Sequence, residues 1–119
     1  MTPDEFIKGL KIAVEEEGIK AILKSLEKPA GRSPSSDLVE ISSWYLSQST
    51  VDKSRIEDVV TETARTTIFS ILCALDNVKK IDNENGWFEL NYVSEKGDKV
   101  TCIKGASFGD LHDVYRATI

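Results

Sequence analysis

The residues of this chain that could do chemistry are few, and its single histidine leads them. His112 stands between Asp110 and Asp113, and a histidine with nearby carboxylates can ligate a divalent metal or act as a general base. The spacing argues against that use. On a helix, residues two apart point away from each other, so 110, 112 and 113 do not share a face, and no second histidine exists to complete a tight site. The plainer reading makes Asp110 a helix cap and His112 a surface or hydrogen-bonded residue. A metal-dependent enzyme built on Asp110, His112 and Asp113 is therefore the last-ranked alternative. The sequence calls for no metal, no cofactor and no catalytic residue.

The other reactive groups point the same way. Cys73 lies within an apolar helical run and Cys102 within a predicted strand, whereas a nucleophilic thiolate needs a nearby cation and access to solvent. Both read as small buried hydrophobes, which favours a reducing compartment. Gly105 and Gly109 lack the lysine and hydroxyl residue that complete a phosphate-binding loop. Adjacent carboxylates such as Glu57 and Asp58 are expected by chance among 20 acidic residues in 119.

Acidic and aromatic residues remain as binding candidates. Glu15, Glu16 and Glu17 crowd the C-terminal end of a predicted helix, where the macrodipole disfavours carboxylates. That local cost marks them as a docking patch for cations, with a solvated face as the plainer reading. Asp82, Glu84 and Glu89 supply a second acidic group, and Trp44 or Trp87 an aromatic anchor of the kind that dominates interfaces. The formal net charge of -5 repels phosphate backbones and excludes a nucleic-acid binder unless a basic patch assembles locally. A basic protein partner is the natural match.

These residues must be positioned by one domain, since 119 residues with 40% hydrophobic and 29% charged composition suffice for one real core. No apolar run approaches the roughly 20 residues that cross a bilayer, and the first residues are acidic where a signal peptide is basic. The cytoplasm is the expected location, without membrane contact.

Thr2-Pro3-Asp4-Glu5 predicts a capped helix start. Gly18 is expected to end or bend that helix before a second one, which stops at Lys28-Pro29. A surface loop over 29–36 precedes a third helix capped by Ser36, with Leu38, Ile41, Trp44 and Tyr45 on one side. Residues 51–79 read as one long helix around which the chain is organised, started by Asp52 or Ser54 and stopped with Asn77 in the left-handed region. Its stripe Asp58, Glu62, Arg65, Phe69, Cys73 turns from polar to apolar, so the first half should be one-sided and the second covered all round.

Period-two alternation then replaces helical spacing. A short strand over 78–82, a hairpin turn at Asn85-Gly86, a strand over 87–93 and a returning strand over 100–104 are expected. Phe88, Leu90 and Tyr92 form the face that should meet the long helix. Gly105 to Gly109 breaks the sheet, and 110–116 predicts a short C-terminal helix. The fold class is α+β: N-terminal helices and one long central helix packed against a two- or three-stranded antiparallel meander.

Three segments carry a likeness. The run Ile71-Leu72-Cys73-Ala74-Leu75-Asp76-Asn77-Val78, the stretch Trp87-Phe88-Glu89-Leu90-Asn91-Tyr92 and the ending Leu111-His112-Asp113-Val114-Tyr115 resemble a group of small, uncharacterised bacterial proteins. In that group a Leu-Asp-Gly-Val turn follows an apolar helix and a Leu-His-Asp tail follows later. Asn77 stands here where glycine is usual, and it keeps the left-handed turn possible. The resemblance covers the second half and implies bacterial origin and fold determinants, with no activity attached.

The reading that follows is a small acidic protein-binding module, of the immunity or antitoxin kind by class. It would neutralise a basic nuclease-type toxin by direct binding through residues among Glu15, Glu16, Glu17, Trp44, Asp82, Glu84, Trp87 and Glu89. The structural alternative is a homodimer formed through the strand edge or the Trp87 face.

Overall fold

A computed structural model of the protein describes residues 1–105 and 110–119. The expected break of the sheet at 105–109 lies, beyond Gly105, outside the described residues. The fold is α+β, with helices preceding and following a two-stranded antiparallel sheet.

The N-terminal rod is longer than its glycine suggested. Helix α1 (Pro3–Leu10) opens on the expected capping box, with reciprocal bonds between Thr2 and Glu5. It runs without a break into a π-helical segment (Lys11–Glu16) and then α2 (Glu17–Glu27). Gly18 does not stop it and lies inside α2. Ile7, Lys11 and Glu15 follow one another at four-residue steps along the rod, and the buried Ile7 and Glu15 face the core.

Helix α3 (Ser36–Leu46) is capped by Ser35, not Ser36, and its side chains sort differently from the expectation. Ser42 and Tyr45 are buried, while Ile41 and Trp44 are exposed. Its neighbour is α2, whose Leu26 carbonyl accepts a 2.7 Å bond from Ser42 Oγ. That bond satisfies one of the carbonyls orphaned at a helix end.

Helix α4 (Thr50–Leu75) is the long helix, 26 residues capped by Ser49 rather than by Asp52 or Ser54. It stops in a left-handed turn, with Asn77 at φ 63° and the Val78 N–H donating to the Cys73 carbonyl at 2.9 Å. This is the six-to-one bond of a Schellman cap. Cys73 is buried and Phe69 half-buried as predicted, but Ile71 stays exposed, so the second half is covered on one side and bare on another.

The sheet has two strands, the lower of the two numbers expected. Residues 78–89 form bends without a strand, and β1 (Leu90–Val93) pairs with β2 (Val100–Lys104) alone. Val78 and Ile81 are the apolar residues of the missing strand, and both are exposed, leaving it no face to bury. Phe88 and Tyr92 are also exposed, and Leu90 is the part of that expected face that reaches the core. The register shifts between Leu90 and Asn91, so that Asn91 pairs with Cys102 and Leu90 with Lys104. This bulge lets the consecutive residues Ile103 and Lys104 both turn inward and become buried.

The core gathers Ile7, Leu72, Ile103, Leu111 and Tyr115. Two of these come from the short helix α5 (Leu111–Arg116), whose apolar residues plug the end of the fold.

Candidate functional site

The densest chemistry lies where α4 ends, β2 ends and α5 begins. The sequence presents Asp76 one residue past a helix C-terminus, where the macrodipole disfavours a carboxylate. The structure supplies the compensation: Asp76 Oδ2 accepts the His112 backbone N–H at 2.7 Å and His112 Nδ1–H at 2.6 Å. Asp76 thus caps α5 from another helix. Lys104, turned inward by the bulge, places Nζ 3.5 Å from Asp76 Oδ1 and 3.4 Å from Asp110 Oδ1. Phe69 meets the His112 ring edge-on, and the Arg116 guanidinium lies over the outer face of Phe69.

Burial pushes the Asp76 carboxyl up, but the His112 and Leu111 donors and the Lys104 charge outweigh it and hold the group below its ordinary value. The Asp76 and Lys104 side chains are 0% and 4% exposed. A substrate has no access to either.

Asp76, Asp110 and His112 bring one ligand atom each within 4.8 Å of one another, a set suited to a divalent cation. The cation between the two carboxylates is the Lys104 ammonium, and Nδ1 of the histidine is committed to Asp76. Asp113, included in the expected trio, places Oδ1 3.5 Å from His112 Nε2 and stays exposed. Asp110 does occupy the cap position of α5, without a side-chain capping bond. The cluster therefore joins three elements of the fold.

A second buried cluster corrects an expectation. Glu15, placed among the candidate docking carboxylates, is 1% exposed and forms no patch with Glu16 and Glu17. Its Oε1 accepts the Tyr115 hydroxyl and lies 3.5 Å from Arg65 Nε, while Oε2 pairs with Lys11 at 2.9 Å. Burial raises the Glu15 carboxyl, and Tyr115, Lys11 and Arg65 together bring it below the ordinary range. The same burial and the same carboxylate push the Tyr115 hydroxyl well above its usual value.

The remaining candidates fall into separate groups. Glu16 and Glu17 are exposed midway along the N-terminal rod, where Glu17 pairs with Lys20. Trp44, 56% exposed, lies near the start of α4, and Trp87 lies beyond its end. The intervening 26-residue helix is about 39 Å long, so one compact partner site cannot hold both. Asp82, Glu84, Trp87 and Glu89 do belong together, exposed on the irregular segment 78–89. There the Trp87 indole N–H donates to Glu89 Oε1 at 3.2 Å, and Phe88 N–H ties the segment back to Asn77 Oδ1 at 3.3 Å.

Among the described residues no helix is long and apolar enough to cross a membrane. Comparison with known proteins adds no relative: no family model, no curated protein and no solved structure matches this chain.

Proposed function

We propose that this protein is a small binding module of the bacterial cytoplasm, of the immunity or antitoxin kind, that captures a basic protein through segment 78–89. The observation that carries the reading is Trp87. Its indole is 59% exposed and held by Glu89, with Asp82 and Glu84 on the same segment. An exposed tryptophan held by one carboxylate, on a segment that carries two more, has the make-up of an interface anchor with a polar rim. A nuclease-type toxin domain fits the chemistry, because a surface that grips phosphates is itself basic. The buried state of Asp76, Lys104 and Glu15 supports binding over catalysis.

The experiment is affinity capture from the native cells, at low and at high salt, by the immobilised chain and by a Trp87→Ala/Glu84→Lys/Glu89→Lys variant. One basic protein should be retained at low salt, released at high salt and lost with the variant. Retention that ignores both salt and the substitutions would refute the reading.

A further inference from the structure

We infer that the chain associates with a second copy of itself through the bare face of the α1–α2/α4 helix pair, a surface separate from segment 78–89. The first observation is one of area. The chain presents 8589 Å² to solvent, whereas a compact monomer of 13.2 kDa presents about 6,400 Å². The excess of about 2,000 Å² per chain falls within the roughly 1,000–2,500 Å² that each partner buries in obligate homodimers. The radius of gyration of 18.1 Å says the same, against about 13.5 Å for a compact domain of this length.

The second observation is an unpartnered apolar channel on the helix pair. Between α2 and α4 runs a groove of about 360 Å³, floored by Gly18 and Ala64 and walled by Ile22 and Val60. A second groove of about 130 Å³, between Val14 and Ile68, continues it toward the start of α1. Val14 to Gly18 and Ala64 to Ile68 are each one helical turn, so the two grooves lie end to end along an antiparallel helix pair. A side chain built on Gly18 would meet nothing within 4 Å, so the floor is open to an incoming helix.

The third observation identifies the occupant. Beside the groove, α4 raises a ridge of Val59, Thr63, Thr67 and Ile71, four residues apart, with Val59 65% and Ile71 57% exposed. Both threonine hydroxyls are turned back on their own helix, Thr63 Oγ1 donating to the Val59 carbonyl at 2.7 Å and Thr67 Oγ1 to the Thr63 carbonyl at 2.8 Å. The ridge therefore shows methyl groups. A ridge of i±4 side chains packs into a matching groove of a neighbouring helical surface, and the channel between α2 and α4, which Val59 and Thr63 of this ridge line together with Gly18 and Ile22, is such a groove. Ridge and groove lie side by side on one face, so a single two-fold axis places each copy's ridge in the other's groove. That self-complementarity is the requirement of an isologous dimer.

Sedimentation or light scattering of the full chain at tens of micromolar should give twice the 13.2 kDa chain mass. Val59→Glu with Ile71→Glu, both at exposed positions, should keep the helical circular dichroism and raise the dimer dissociation constant at least about 100-fold by burying unpaired charges. Val93→Glu on the sheet and Trp87→Ala should leave the mass unchanged. A 13.2 kDa species at every concentration would overturn the inference, as would a dimer that survives Val59→Glu/Ile71→Glu. A dimer dissolved by Val93→Glu or Trp87→Ala would overturn it too, by moving the interface to the hairpin or the loop. Each result leaves the salt-dependent capture experiment with Trp87 to stand or fall separately.

Discussion

The two ends of α4 are held in different ways. At the C-terminal end, α1, β2 and α5 enclose Leu72, and two buried carboxylates, Asp76 and Glu15, each bind groups from other elements. At the N-terminal end, α2 and α3 contribute Leu26, Tyr45 and the Ser42 bond, with Lys53 over the Tyr45 ring. Apolar residues are available at both ends. What differs is the sequence distance of the ties: the Asp76–His112 and Glu15–Tyr115 bonds span 36 and 100 residues, the Ser42–Leu26 bond 16. Polar anchors between distant segments lock one end, and local helix packing leaves the other more open to fluctuation.

The largest test of that contrast is Asp76→Ala. It would remove one of the carboxylates beside the buried Lys104 ammonium, which keeps Asp110, and the acceptor of two His112 bonds that cap α5, at a cost of about 3–5 kcal/mol for the lost charge-assisted bonds, read as a fall in the denaturant midpoint. Leu111→Ala, in the same end, should cost about 2–5 kcal/mol through lost burial and a cavity. Acid should weaken the same end. The folded carboxyls of Glu15 and Asp76 lie below their ordinary values of 4.5 and 3.8, so their stabilisation is complete above those values and is lost as pH falls through the folded ones. For Tyr115 the sign reverses. Its folded hydroxyl lies above the ordinary 10.0, so stability should also fall as pH rises past about 10. Thermal unfolding across pH should show a plateau with both shoulders, and Tyr115→Phe should reduce the alkaline one, to which the raised Cys73 thiol and Tyr45 hydroxyl also contribute.

At the other end Ser42→Ala should cost only about 1 kcal/mol. Trp44→Ala should stay within about 0.5 kcal/mol of the wild type. Amide exchange should report α3 opening locally while Leu72 and Ile103 exchange only on global unfolding. Equal protection at both ends would remove the contrast.

Local signals in the sequence located what was local. Thr2 to Glu5 is the capping box it reads as, Asn77 takes the left-handed turn, and helix 50–75 lies inside the predicted 51–79 except for its first residue. The strand at 78–82 was misplaced because alternation without a buried face stabilises nothing. Glu15 reads as a docking carboxylate and is buried instead because Arg65 and Tyr115, 50 and 100 residues away, close over it. The burial of Asp76 and Lys104 likewise rests on residues distant in sequence. Their signals are a carboxylate at the wrong end of a helix dipole and a lysine closing an apolar strand, and both make sense only once α5 is in place. Asp82, Glu84, Trp87 and Glu89 share one exposed segment because they are close in sequence, whereas Glu16, Glu17 and Trp44 lie on other elements.

The bond between Glu15 and Tyr115 has a consequence for how the protein is made. A ribosome adds roughly 5–20 residues each second, so the first helix waits several seconds for the residues that bury it. During that interval Ile7 and Leu72 lack Leu111 and Tyr115, and a nascent chain arrested before α5 is an open, apolar helix pair. Such a chain is the form that chaperones would bind and proteases would cut, and completing α5 is what withdraws it from both.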